Sequence, residues 1–214
     1  MIDYWFNQYT ARGFVPGGMF TTQDVFYIPI PKNSSSYVGK LMLANKWNIA
    51  NFLETDLTNK KIIVILRDPI DRWVSGMAQY LCSSVVSKGH SADTIIQTWN
   101  EITQTLVFDK VIFDDHTEKQ VYFINTVPKG SCVYFNSTRG IGELLQNYLG
   151  ENNINLNINI TYINIISELD GNMQHKLLAN FLKELLVQTP VLVDRLKEVY
   201  ADDYKLIESV KFYD

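Results

Sequence analysis

KIIVILRDPIDRW, residues 61–73, is the stretch that decides the fold. Five apolar residues follow Lys61 without a polar break, the pattern of a strand buried on both faces. The run stops at Arg67. Asp68-Pro69 then supplies a helix start, with Asp as N-cap and Pro in the first turn. Trp73, Met77, Tyr80 and Leu81 continue at helical spacing, which predicts a helix to about Val86. A buried strand turning directly into a helix is the unit of a parallel α/β sheet.

The same unit lies upstream. VFYIPI (25–30) reads as a buried strand, and SSYVGKLMLANKW (35–47) as a helix with Val38, Leu41 and Met42 on its apolar side. Residues 1–24 read as a short amphipathic start and a Gly/Pro turn at Pro16, Gly17 and Gly18. Downstream, a helix is expected over 92–107 and strands at VYFIN (121–125) and CVYFN (132–136). GIGELLQNYLG (140–150) reads as a helix closed by a C-capping Gly. NNINLNINITYINII (152–166) alternates with period two and fits either an edge strand or a loop. Residues 173–200 are helical in pattern with a break at Pro190, and ADDYKLIESV closes the chain as a further helix. No linker splits the sequence, so one domain over 1–214 is expected.

Composition narrows the function classes. The chain is 46% hydrophobic and 20% charged, ordinary for a globular protein. A net charge of -4 argues against a broad basic face for nucleic acid but allows a local cationic pocket. Cys82 and Cys132 have no metal-ligand spacing and read as two thiols in a reducing compartment. The polar N-terminus and the lack of a long apolar run predict a soluble, cytoplasmic protein with no membrane partner. The sequons at Asn33, Asn136 and Asn159 then carry no glycan.

PKNSSSY (31–37) sits where a strand gives way to a helix. In open α/β sheets ligands gather at the carboxyl ends of strands, and a helix N-terminus there attracts anions. Lys32 adds a full charge, Ser34 is small enough for a tight turn, and Ser35 and Ser36 offer hydroxyls to phosphate oxygens. The layout predicts a P-loop NTPase-like three-layer sandwich with a central, mainly parallel sheet flanked by helices. It is not a Walker A loop, because Gly39-Lys40 is followed by Leu41, which has no hydroxyl for Mg²⁺. Alone, the pattern more often marks a polar helix cap with a solvated lysine.

RDPIDRWVSGMAQY (67–80) changes that balance, because a second strand-to-helix junction carries a cation, Arg67, and a serine eight residues on, Ser75. At this point the chain resembles sulfotransferases that use 3′-phosphoadenosine 5′-phosphosulfate (PAPS). The first stretch resembles their 5′-phosphosulfate loop and the second their 3′-phosphate motif. The resemblance implies that Lys32 contacts the phosphosulfate and Ser35 and Ser36 hold the 5′-phosphate. It implies that Arg67 and Ser75 grip the 3′-phosphate, with backbone contacts from Asn33 and Ser34. Ser34 stands where the commonest family loop has Gly, and Ser35-Ser36 where it has Thr within the hydroxyl pair. FDDHTEKQ (113–120) resembles a His-x-x-x-Gln element of carbohydrate sulfotransferases, CVYFNSTRGIGELLQNYLG their later strand, turn and helix, and EVYADDYKLIESV their terminal Tyr-x-x-Asp-Tyr helix.

Sulfuryl transfer, like phosphoryl transfer, needs in-line geometry and charge placed where it develops. Lys32 and the helix N-terminus meet the leaving 5′-phosphate. A guanidinium forks onto two phosphate oxygens, which suits Arg67 to the 3′-phosphate. An acceptor hydroxyl, expected on a carbohydrate or small molecule, needs a base. His116 is the candidate, with Asp114, Asp115 and Glu118 as alternatives. Arg72 is read either as an ion pair with Asp68 or as a ligand contact. His90 and His175 are read as solvated, Arg139 as an exposed turn residue, and Trp47, Trp73 and Trp99 as core. No metal is expected. A P-loop nucleotide kinase and a non-catalytic nucleotide-binding module are the alternative functions.

Overall fold

The computed structural model describes residues 18–51, 54–84, 91–94, 96–97, 111–159 and 171–214. Its strands are β1 (Gly18–Thr22), β2 (Val25–Ile28), β3 (Asn48–Asn51), β4 (Lys61–Leu66) and β5 (Cys132–Asn136). Its helices are α1 (Ser35–Ala44), α2 (Pro69–Ser84), α3 (Gln120–Ile124), α4 (Ile141–Glu151), α5 (Gly171–Gln188), α6 (Pro190–Val199) and α7 (Ala201–Ser209). The strands form one open sheet in the order β3-β1-β2-β4-β5.

The sheet is mixed rather than mainly parallel. β2 pairs with β4 and β4 with β5 in parallel, while β1 runs antiparallel to both β2 and β3. Tyr27 lies opposite Ile63, and Val64 opposite Tyr134. β4 is apolar on both faces because both are covered. Ile63 and Ile65 pack with Val38, Leu41 and Met42 of α1 and with Ile141, Leu145 and Leu149 of α4. Ile62, Val64 and Leu66 face the other way, onto Ile124 of α3 and Leu206 and Ile207 of α7. Outside this three-layer body, α2, α5 and α6 share a separate core of Trp73, Met77, Leu178, Leu182, Leu192 and Leu196. The Trp73 indole donates to the Val111 carbonyl oxygen at 2.8 Å, so its one polar atom is satisfied in that core.

Several local expectations are corrected. VYFIN is not a strand: residues 120–124 form α3. Helix α1 stops at Ala44, short of Trp47, which packs in the core beyond it. In NNINLNINI the described part, 152–159, contains no strand. Ile154 and Leu156 drop into the α1/α4 core, and the Asn45 side chain holds the backbone of Asn157 at 3.0 and 2.8 Å. Period two thus arises here from a docked loop. Asp68 caps α2 as its position predicts, accepting from the Asp71 N–H at 2.9 Å. The break at Pro190 separates α5 from α6. Cys82 and Cys132 are both free. The greater part of the expected helix 92–107, with Trp99, and the start at 1–17 lie outside the described residues, as does His90. Among the described residues no helix is long and apolar enough to cross a membrane.

Candidate functional site

Because β2, β4 and β5 are parallel, the segments leaving them emerge along one edge of the sheet. These are residues 29–34, 67–68 and 137–140, and they carry Lys32, Arg67 and Ser137.

The first segment is a tight turn pinned by a buried amide. The Asn33 N–H donates to the Ile30 carbonyl oxygen at 3.2 Å. Its side chain turns inward, donating through Nδ2 to the Ile65 carbonyl oxygen at 2.8 Å and to Gln120 Oε1 at 2.6 Å. Asn33 therefore serves the site as an anchor for the turn. On either side of it, Lys32 and Ser34 adopt left-handed backbone with φ of 69° and 62°. A left-handed residue immediately before a right-handed helix turns successive N–H groups to one side, an anion-binding arrangement. Ser34 also meets the third segment, with its Oγ 2.8 Å from Ser137 Oγ. Ser35 and Ser36 open α1, Ser36 exposed and Ser35 partly so.

Arg67 closes on this turn. Its Nη1 donates to the Lys32 carbonyl oxygen at 3.2 Å. Among the described residues, neither Lys32 nor Arg67 is ion-paired with a carboxylate. Burial, then the Arg67 guanidinium, push the Lys32 ammonium down to about 8, against weaker pulls from Cys82 and Asp114. Two under-compensated cations at one sheet edge form a site that an anion would relax.

Ser75 lies two turns into α2, and its carbonyl oxygen accepts from His175 Nε2 at 3.1 Å. His175 is not solvated, as the sequence suggested, but half-buried. Burial and the charge on Lys32 hold its pKa below the ordinary value. The structure thus brings Lys32, Ser34 and Arg67 to one place, with Ser75 and His175 alongside. Ser137 and His175 are additions that no local pattern announced.

His116 stands in an ionic trio. Its Nδ1 lies 2.9 Å from Asp114 Oδ2 and 3.0 Å from Asp115 Oδ1. Burial opposes its charge, but the two carboxylates outweigh burial and raise its pKa to about 9. His116 is therefore an imidazolium at neutral pH, the opposite of the charge state a base needs. The trio also gathers three candidate metal-ligand atoms within 4.8 Å of one another, from three consecutive residues. Here they are engaged with one another as ion pairs.

Arg72 is not ion-paired with Asp68. Its guanidinium is buried and donates to backbone carbonyls, from Nε to Pro31 at 2.9 Å, from Nη2 to Asp115 at 3.1 Å, and from Nη1 to Glu118. It staples the cation turn to the 114–118 loop. Gln120 and Asp203 complete the frame. Gln120 Oε1 accepts from the Arg67 N–H and its Nε2 donates to the Arg67 carbonyl oxygen, each at 2.9 Å. Asp203 accepts from the N–H groups of Gln120 and Val121, each at 2.9 Å, and so caps α3. Tyr200 donates to the Thr117 carbonyl oxygen from the same terminal stretch. Arg139 is exposed, as expected.

Comparison with known proteins adds no relative: no family model, no curated protein and no solved structure matches this chain.

Proposed function

We propose that the chain is a PAPS-dependent sulfotransferase, moving a sulfuryl group to an acceptor hydroxyl of a carbohydrate. The observation that carries this reading is the junction of Lys32 and Arg67. Both follow parallel strands, they touch through the Lys32 carbonyl oxygen at 3.2 Å, and neither is ion-paired among the described residues. A ligand with phosphate groups at two ends of one nucleoside answers both charges at once. The hydroxyls of Ser35 and Ser36 and the left-handed Ser34 suit the 5′ end, as in a P-loop-like cradle. Arg67 and Ser75 suit the 3′ end.

In the transfer, the S–O bond to the 5′-phosphate breaks as the bond to the acceptor oxygen forms. Lys32 faces the charge that grows on that phosphate. The acceptor proton passes to the Asp114–Asp115–His116 trio. With His116 already charged, the base role falls to one of the two carboxylates beside it.

Calorimetry with adenosine 3′,5′-bisphosphate and with 5′-AMP tests the reading. The bisphosphate is expected to bind much the tighter, and Lys32→Ala to lower turnover of PAPS with carbohydrate acceptors. Equal affinities for the two nucleotides, or normal turnover in Lys32→Ala, overturn it.

A further inference from the structure

Gln120 is fully buried, and its side-chain amide reaches both segments that carry the cations. Its Oε1 receives Asn33 Nδ2 at 2.6 Å, which fixes the turn holding Lys32. The same oxygen receives the Arg67 N–H, and Nε2 donates to the Arg67 carbonyl oxygen, which fixes the second segment. Nε2 also leans on Asp203 Oδ2 at 3.5 Å, and Asp203 in turn holds the backbone N–H of Gln120 itself. Asn33 and Gln120 are separated by 87 residues, so no local preference builds this link.

We propose that Gln120 is a positioning residue that makes recognition of the two ends of the nucleotide interdependent. The proposal rests on the nucleotide reading above and adds to it a cause for cooperativity between the two phosphates. One planar amide bonded to both segments fixes the Lys32 turn relative to Arg67. When one phosphate orders its own segment, the shared amide orders the other before the second phosphate arrives. A ligand with one phosphate cannot use that coupling.

The test is calorimetry on the full chain with adenosine 3′,5′-bisphosphate, 5′-AMP and 3′-AMP. In the unaltered protein the bisphosphate is expected to bind more tightly than the two monophosphate affinities predict together. In Gln120→Leu that excess falls about tenfold, a typical size for coupling between sites, while each monophosphate changes much less. Gln120→Glu keeps the acceptor for Asn33 and the Arg67 N–H but loses the donors to the Arg67 carbonyl and to Asp203 Oδ2 and sets a carboxylate beside Asp203, so it retains only part of the excess. It also gives a second reading should the leucine variant not fold. Parallel losses for all three nucleotides, or no loss in a folded variant, overturn the coupling role. If the unaltered protein binds none of the three, the nucleotide reading itself fails, and the coupling role falls with it.

Discussion

Arg67 reaches across from the end of β4 and donates its Nη1 to the carbonyl oxygen of Lys32, 3.2 Å away at the end of β2. The contact places a permanent cation beside a lysine that burial has already made reluctant to carry charge. Two cations thereby share one turn, with no carboxylate ion-paired to either among the described residues.

The first prediction is a pH profile for anion binding. The folded Lys32 pKa of about 8 lies below the ordinary 10.5, so the folded chain binds fewer protons than the unfolded chain between those values. Lys32 thus weakens the fold at neutral pH, and this penalty is relieved as pH rises from about 8 to 10.5. An anion needs the charged form. Its affinity is expected to be level below about 8 and to fall above it, by as much as about tenfold per pH unit. Titrating the bisphosphate in buffers of different ionisation enthalpy also reads the proton taken up near that pH. Lys32→Ala removes the inflection, and Arg67→Ala moves it upward. An unchanged profile in both variants refutes the assignment.

The parts of this picture that were visible in the sequence have local causes. β2, β4 and β5 announce themselves as apolar runs, and α2 by its Asp-Pro start. β1 and β3 carry no such signal, because GMFTT and NIAN are short and lack an apolar run, although β1 is paired on both sides and only β3 of the two is an edge. The hairpin turn from β1 to β2 has Gln23 at φ 49°, with none of the glycine or asparagine that usually marks such a turn. QVYFI is rich in strand-forming residues, yet it is a helix because Asp203 caps it from 83 residues away. Lys32 and Arg67 were legible because charge at a strand end is a local signal. Gln120, His175 and Arg72 acquire their roles only from distant backbone, which no spacing rule encodes.

At Gly76, α2 presses directly on the 114–118 loop. A Cβ there would lie 2.1 Å from the His116 carbonyl oxygen, a backbone atom that cannot swing away. Gly76→Ala is expected to cost about 3 kcal/mol or more and to disturb the ionic trio. Gly130→Ala is the control, since nothing lies within 4 Å of its Cβ. Urea melts of the two variants decide the matter. Equal midpoints would mean that the helix and loop are not in this contact.

Ser34 occupies left-handed backbone that glycine adopts without strain, at a cost to other residues of about 1–2 kcal/mol. Its Oγ contact with Ser137 at 2.8 Å offsets part of that. Ser34→Ala keeps the strain and loses the contact, whereas Ser34→Gly loses both. The glycine variant is expected to be about 1 kcal/mol more stable than the alanine variant, the reverse of their order in a helix. A more stable alanine variant in chemical melts would show that the turn does not impose this conformation.

His116 gives the clearest sign in a stability profile. Its folded pKa of about 9 exceeds the ordinary 6.5, because the Asp114 and Asp115 carboxylates overcome the penalty of burial. The folded chain therefore holds this proton more tightly than the unfolded chain. The stabilisation is complete below 6.5 and is lost as pH rises through about 9. A shift from 6.5 to about 9, at roughly 1.4 kcal/mol per unit, sets a ceiling of about 3 kcal/mol. His116→Gln removes the titrating group and leaves two carboxylates facing a neutral amide. The unaltered protein should exceed this variant in stability most at about pH 6, and the gap should narrow steadily to about pH 10. Subtracting the two profiles also removes the opposite slope contributed by Lys32, which both proteins share. A gap that stays constant or widens with pH would mean that His116 is neutral in the fold, and would restore it as the base for the acceptor hydroxyl.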